Sequence, residues 1–328
     1  MRYIAYDEPG EPSVLYVAQM DTPVPGTGEV LVEVEASGLS RADTLQRRGH
    51  YPPPPGASPV LGLEVSGTVR ALGAGVDTLA IGDRVVALCN GGGYAEFVTV
   101  PAGQALPLPE HWSFVEGATL PENAFTVYDN LLVRARLRAG DVVLIHGGTS
   151  GIGTTAIMFA RAVGATPITT AGSDEKCRAT LEIGADAAIN YKSTDFVERV
   201  HEYTDKRGVD VVLDIVGGEY LNRDLRALAT DGRIACIAHA GGKEATIDLR
   251  YLLQRRATLL GSSLRPRSNQ EKAEIANGLR KDIWPLLEAR DPIAPIVDSV
   301  FTFSQAAQAH ARLESSEHIG KIVLVPDP

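Results

Sequence analysis

The run from Asp141 to Ala171, DVVLIHGGTSGIGTTAIMFARAVGATPITTA, restricts the fold more than any other part of the chain. Val142-Val143-Leu144-Ile145 is short, apolar and mostly β-branched, the pattern of a strand buried on both faces. Gly147, Gly148, Gly151 and Gly153 follow, and glycine lets a backbone turn tightly and present consecutive N–H groups. Ile152 to Val163 continues as an alanine-rich apolar helix, which Gly164 ends at the C′ position. Pro167 to Thr170 makes the next strand. The segment therefore reads as a βαβ unit with a phosphate-binding turn at a helix N-terminus. The turn itself, Gly148-Thr149-Ser150-Gly151-Ile152-Gly153, lacks the middle glycine of G-x-G-x-x-G. Its meaning comes from the strand before it and the helix and strand after it; a tight turn that binds nothing is the weaker explanation.

A chain of 328 residues has room for about two domains. The formal charge of −10 and the pI of about 5.2 argue against nucleic acid or an anionic membrane as the main partner. Basic residues cluster at Arg134, Arg136 and Arg138 and at Arg255-Arg256, where they read as solvated ends of helices and strands. The start, MRYIAYDEPGEP, has no basic stretch leading into an apolar core, so no signal peptide is expected. No apolar run approaches the roughly 20 residues of a membrane span. Cys89, Cys177 and Cys236 are far apart and odd in number, which suits a reducing cytoplasm rather than a disulfide framework.

The first 120 or so residues read as mostly β. Val30 to Ala36, Leu61 to Arg70, Val85 to Leu88 and Tyr94 to Val100 are strand patterns separated by glycine turns, and Leu39 to Arg48 suits a short helix. Gly49-His50-Tyr51-Pro52-Pro53-Pro54-Pro55-Gly56 cannot be helical, because four prolines hold it extended. Composition leaves open whether this stiff loop walls a binding site or merely connects. Many short strands with frequent turns predict a partly open, barrel-like β domain.

Beyond the first βαβ unit, Ala187–Tyr191, Val209–Val216, Arg233–Ala238 and Ala257–Gly261 are further apolar strands, with helices expected at Ser193–Tyr203 and Tyr220–Leu228. That pattern predicts an α/β, doubly wound parallel sheet. The tail should carry a helix from Lys272 to Glu288, another from Gln305 to Leu313 with Ser304 as N-cap, and a last strand Lys321–Val325.

Gly62-Leu63-Glu64, Gly67 and Val69, followed by Gly73, Val76 and Gly82-Asp83-Arg84-Val85, resemble the signature of the medium-chain dehydrogenase/reductase superfamily. Ser40-Arg41-Ala42-Asp43 and the Gly49–Gly56 loop are similar to its zinc-free, zeta-crystallin-like quinone oxidoreductases, close to the type induced in the tumour-suppressor response. The resemblance runs to His318-Ile319-Gly320-Lys321 and covers essentially the whole chain. It implies a Rossmann-type domain over 122–262 and a discontinuous GroES-like catalytic domain over 1–121 and 263–328. Zinc-dependent relatives use an early Cys and the His of Gly-His-Glu; here Leu39-Ser40 and Leu63 stand in those regions. A catalytic zinc needs three protein ligands, and Glu64 alone does not supply them, so no metal is expected.

NAD enzymes usually place a carboxylate about 20 residues past the glycine turn, on the ribose 2′-OH. Here the strand ends in Ala171, Gly172 and Ser173, followed by Asp174, Glu175 and Lys176. With no carboxylate at the strand end to repel a 2′-phosphate, and with Ser173 and Lys176 able to bind one, NADPH is favoured. The resemblance implies that Lys176 and Tyr191 hold the 2′-phosphate beside Gly172 and Ser173. Asp174 counts against this if it turns inward, and otherwise serves as first-turn helix charge. By position, the other cofactor contacts are Thr126, the turn residues Gly148, Thr149, Ser150, Gly151, Ile152 and Gly153, then Gly217, His239, Ala240, Gly241, Ser263, Leu264 and Arg265, with Lys321 a weaker candidate. His239 could also act as an acid, though a loop histidine without that role is the commoner case.

A quinone already accepts hydride readily, so the protein mainly has to hold it flat over nicotinamide C4. Tyr51 is the leading substrate contact: its ring can stack on a quinone and its hydroxyl can donate to the developing hydroquinone oxygen. Ser40 stands where relatives often carry Asn and can bond a carbonyl. Asp43 is read as ordering the loop. Reduction of an enone or enoyl ester on the same fold, and a non-catalytic NADPH-binding regulatory role, are the alternatives. The resemblance also implies a homodimer joined through the strand edge near Ala257–Gly261.

Overall fold

The computed structural model describes residues 1–288 and 295–328. Contacts divide it into two units, Met1–Phe125 with Leu264–Pro328, and Thr126–Ser263. The sequence break expected after 121 falls four residues early, since Thr126 is the first residue of the second unit.

In the second unit, six short apolar strands pair in parallel. Their order is Ala187–Asn190, Thr166–Ala171, Val142–His146, Val209–Asp214, Leu228–Cys236 and Thr258–Gly261. Parallel pairing with crossover helices covers both faces of a sheet, which is why these strands carry few polar positions. Leu144, Ile168, Val212 and Ile234 are all fully buried, packed with Phe196 and Leu225. The strand order turns back on itself between Val142–His146 and Val209–Asp214, and ligands of such sheets sit past the carboxyl ends of strands at that switch. Helix Gly151–Ala162 starts at the glycine turn, and Gly164 follows it with φ of 78°.

Local chemistry moved some element ends. The helix expected from Ser193 starts at Phe196, because the Asp195 carboxylate accepts the Val197 N–H at 3.0 Å and caps it. The strand expected from Arg233 begins at Leu228 instead, running through a register irregularity against Val209–Val211.

The first unit is built on the long strand Glu29–Gly38. It pairs with Phe97–Pro101 along its first half, with Glu64–Leu72 along most of its length, and with Lys321–Val325 at its end. Register shifts near Leu31 and Val34 let one strand serve three partners, the bend expected of bulges in a curling sheet. Gly67 permits a close approach: a Cβ there would lie 2.0 Å from the Glu33 carbonyl oxygen. Val30, Val32, Val65, Val69, Val85 and Val98 fill the inside. This is an α/β chain with a curled β unit and a parallel Rossmann-type sheet.

Two tail expectations need correction. The helix expected over Lys272–Glu288 is two helices, Asn269–Asp282 and Trp284–Leu287. Pro285 lacks an N–H, so the first helix cannot run through it; the Trp284 indole N–H instead donates to the Pro107 carbonyl at 2.8 Å. Ser304 is not an N-cap. Thr302 and Gln305 form the capping box of a 3₁₀ turn Phe303–Gln305, helix Ala306–Glu314 follows it, and the Ser304 hydroxyl bonds Asp327.

Candidate active site

The glycine turn is shaped by close approach. A Cβ on Gly153 would lie 2.3 Å from the Gly147 carbonyl oxygen, and one on Gly148 would lie 2.7 Å from Thr169 Cβ. Only glycine lets the helix start press on the turn like this. The Ser150 hydroxyl accepts the Gly153 N–H at 3.0 Å and donates to the Gly147 carbonyl at 2.8 Å. Its backbone N–H also closes on Gly147. Ser150, expected as a cofactor ligand, is therefore engaged in holding the turn's shape. Gly151 and Ile152 open the helix, where backbone N–H groups have no intrahelical partner and face an anion well. Thr149 is buried beside them.

Beneath the turn lies a pair that sequence reading passed over. The His146 ring is buried, with Nε2 2.8 Å from an Asp224 oxygen and Nδ1 3.0 Å from the Thr170 hydroxyl. Thr170 in turn meets the turn through its carbonyl, which accepts the Gly148 N–H at 2.9 Å. Phe196 and Tyr220 pack edge-on against the imidazole. Burial raises the Asp224 carboxyl above its ordinary range and His146 opposes that rise. The available signal was a histidine closing an otherwise apolar strand.

At the end of strand Thr166–Ala171 the structure gathers Gly172, Ser173, Lys176 and Tyr191. A Cβ on Gly172 would lie 2.9 Å from the Tyr191 hydroxyl oxygen, so that hydroxyl lies directly against the Gly172 backbone. Ser173 caps helix Asp174–Ile183 by accepting the Lys176 N–H at 3.2 Å. Asp174 is exposed and its carboxylate accepts from the Asn190 side chain at 2.7 Å.

The remaining second-unit candidates fall at strand ends. Gly217, with φ of 66°, is fixed by its N–H to the buried Asp214 carboxylate, at 2.9 Å to one oxygen. The Gly241 N–H donates to the Val216 carbonyl at 2.7 Å, which ties the His239-Ala240-Gly241 loop beside it; His239 is exposed. Burial, with the Asp214 charge adding, pushes the Cys236 thiol up to about 12, so it is no nucleophile. Thr126 is buried, and its carbonyl accepts from Asn130, whose other side-chain atom accepts the Ser262 hydroxyl at 2.8 Å. Ser263 is the last residue of this unit.

The first unit holds the substrate-side candidates. Ser40 precedes helix Arg41–Arg47, its N–H donating to Asp43 at 2.8 Å; the other Asp43 oxygen accepts the Gly62 N–H at 3.1 Å. Asp43 thus ties two loops together, and burial raises its carboxyl above the ordinary range. The Ser40 hydroxyl is buried with no hydrogen-bond partner among the described residues. Tyr51 is half-buried, its ring 4.9 Å from the Arg265 guanidinium carbon.

Two of the cofactor candidates have side chains engaged within this unit. Arg265 donates from Nη1 to the Tyr51 carbonyl at 3.1 Å and from Nη2 to Gln46, so its hydrogen bonds hold the Tyr51 loop. Leu264, beside it, opens this part of the unit. Lys321 is 5% exposed, with its ammonium paired to the fully buried Glu64 and donating to the Leu39 carbonyl. An ammonium so enclosed is a core group and not a surface contact. Glu64 also accepts the Glu122 N–H at 2.9 Å, and burial, with the Glu64 charge adding, pushes the Glu122 carboxyl up to about 7. Leu63 is buried, and among the described residues no group of three histidine, cysteine or carboxylate side chains is arranged to hold a metal ion.

These two constructions, a glycine-turn parallel sheet and a curled β unit, define a medium-chain nicotinamide-type oxidoreductase. Residues 26–110 match the alcohol dehydrogenase GroES-like domain and residues 151–278 match the family described as zinc-binding dehydrogenase. The quinone oxidoreductase of Rattus norvegicus is 32% identical over 328 residues, covering 99% of this chain and 98% of the relative. A mycobacterial protein solved in complex with NADPH is 31% identical, with a TM-score of 0.86 over 99% of this chain and 100% of that one. An NAD-dependent alcohol dehydrogenase structure, also 31% identical, has a TM-score of 0.86 and covers 100% of both chains. The chain belongs to the medium-chain dehydrogenase/reductase superfamily and is an oxidoreductase of that family.

Proposed function

We propose that this protein reduces small quinones with NADPH and without a metal. The observation that carries the cofactor choice is the end of strand Thr166–Ala171. The Tyr191 hydroxyl lies on the Gly172 backbone, Ser173 caps the next helix, and Asp174 is turned to Asn190. A carboxylate committed to Asn190 is not positioned as the usual acceptor for a ribose diol, and Lys176, two residues on, supplies a cation for a 2′-phosphate. The solved relative in complex with NADPH supports this reading, as the similarity to quinone oxidoreductases supports the substrate.

The glycine turn fits a dinucleotide: the space a Cβ would fill at Gly153 and Gly148 is what lets the turn's N–H groups approach a pyrophosphate. When bound, the nicotinamide supplies hydride from C4. Tyr51 offers a ring for stacking and a hydroxyl that can donate to a quinone oxygen as charge develops on it. The unpartnered Ser40 hydroxyl is a second donor for a carbonyl. A buried donor without a partner costs about 1–3 kcal/mol, which a bound carbonyl would recover. With Leu63 and Ser40 in the places zinc ligands would take, the reaction relies on substrate activation already present in the quinone.

Among the described residues the strand Thr258–Gly261 pairs on one side only, with Leu228–Cys236, and Leu259 is 38% exposed. A second copy covering this edge makes the protein a homodimer in this reading. We further expect it to act in the cytoplasm.

The test is NADPH oxidation by chelator-treated protein, with an ortho-quinone, a para-quinone and an enone offered separately and NADH run in parallel. Quinone turnover with NADPH that survives chelation is the expected result. Turnover of the enone alone would replace the substrate class, and loss of activity on chelation would overturn metal independence.

A further inference from the structure

Arg265 sits at the meeting of three segments of the first unit. Its Nη2 donates to Gln46 on helix Arg41–Arg47, its Nη1 donates to the Tyr51 carbonyl, and its guanidinium covers the Tyr51 ring at 4.9 Å. Gln46 continues the tie: its amide donates to the Pro59 carbonyl at 2.9 Å, on the far side of the proline loop. Arg265 is itself held from behind. The Lys272 ammonium, 3% exposed on helix Asn269–Asp282, donates to the Arg265 carbonyl at 3.1 Å and to the Asn90 side chain at 2.7 Å. Asn90 is anchored in turn by Asn269, at 2.9 Å. Two buried cations at one junction need a reason, because burial disfavours their charge. Here burial holds both below their ordinary values, Lys272 at about 8.

The Tyr51 loop is tied on both sides of the tyrosine, and Arg265 holds it at the tyrosine itself. Prolines at 52 to 55 offer no N–H donors, so the loop's own backbone bonds flank Tyr51, from the His50 N–H to the Leu45 carbonyl at 2.8 Å and from the Ala57 N–H to the Pro54 carbonyl at 3.0 Å. A planar guanidinium with one face on the ring and two N–H groups on neighbouring acceptors fixes both the height and the tilt of Tyr51. We propose that Arg265, anchored by Lys272, is the positioning residue that sets the Tyr51 ring and thereby the shape of quinone this unit accepts. The substrate part of this inference rests on the quinone-reductase reading above; the loop part does not.

Two variants separate the parts: Arg265→Met, which keeps length but removes the fork, and Lys272→Met, which removes only the anchor. Hydrogen exchange of peptides spanning 45–60, measured without any substrate, reads the loop alone. Steady-state kinetics with a one-ring and a two-ring quinone read its consequence. Exchange over 45–60 should rise about tenfold in Arg265→Met and less in Lys272→Met, with the glycine-turn peptides unchanged. KM for quinone should rise about fivefold or more, and the preference between the two quinones should narrow, while KM for NADPH stays within about twofold. Arg265→Lys should recover part of the exchange protection and little of the discrimination, because an ammonium cannot make the two-pronged contact. Unchanged exchange over 45–60 in both Met variants overturns the proposal. So does a rise in KM for NADPH with KM for quinone unchanged, which would return Arg265 to the cofactor. If the wild-type protein reduces no quinone, the quinone reading fails; a tenfold exchange change would then still uphold the loop assignment.

Discussion

Replacing Lys321 with Met removes the ammonium paired to Glu64, a carboxylate with 0% side-chain exposure. Removing one member of a buried ion pair typically costs about 3–5 kcal/mol, because the other charge is left without solvent or counter-ion. The lower end applies here. Glu64 keeps the Glu122 N–H at 2.9 Å, and burial already biases it toward its neutral form. A loss of about 3 kcal/mol corresponds to a drop of roughly 6–12 °C in Tm for a domain of about 150–250 residues. The pH dependence follows from the direction of the shift. The folded Glu64 pKa lies above its ordinary value of 4.5, raised by burial and held back by Lys321. Without Lys321 it rises further. The extra penalty is therefore absent while Glu64 is protonated in both folded proteins, and it grows only above the wild type's folded pKa, up to the variant's higher one. Urea melts at pH 5 and pH 7.5 should show a smaller deficit at pH 5, and Glu64→Leu combined with Lys321→Met should regain most of the loss. NADPH affinity of the folded fraction should not change. A variant that melts like the wild type at pH 7.5 but binds NADPH more weakly would refute the argument and restore Lys321 as a cofactor contact.

Lys176→Ala should weaken NADPH binding by about 10–100-fold, the range of a charge-assisted bond worth about 1.5–3 kcal/mol, and leave NADH nearly unchanged; fluorescence titration with both nucleotides checks it. Gly153→Ala puts a Cβ 2.3 Å from the Gly147 oxygen, so the turn must shift, and calorimetry should show loss of dinucleotide affinity in a protein that remains folded. Leu259→Lys should convert a dimer to monomers in light scattering without changing the far-UV spectrum, since it charges the strand's open edge.

Much of the fold is written in local pattern. Val142–Ile145, the glycines after it and the apolar helix behind them specify a βαβ unit without help from elsewhere, because strand burial, turn conformation and helix propensity agree there. Ser173 and Lys176 stood out by residue type at the strand end, and the resemblance added Gly172 and Tyr191; the structure places the Tyr191 hydroxyl against the Gly172 backbone. Ser304 failed as a cap because the Thr302–Gln305 box competed for the same turn, which single-residue preference does not weigh.

What the sequence by itself determined was the class of sheet, the glycine turn and the candidate strand-end residues, all set by interactions within about 30 residues of chain. The tertiary structure decided which charges are buried and with whom. Lys321 meets Glu64 across 257 positions, Arg265 meets Gln46 across 219, and His146 meets Asp224 across 78. A lysine or arginine looks the same in sequence whether it faces a ligand or neutralises a core carboxylate. Only the packing that removes its water distinguishes the two, because the desolvation cost demands a partner that the local chain cannot supply.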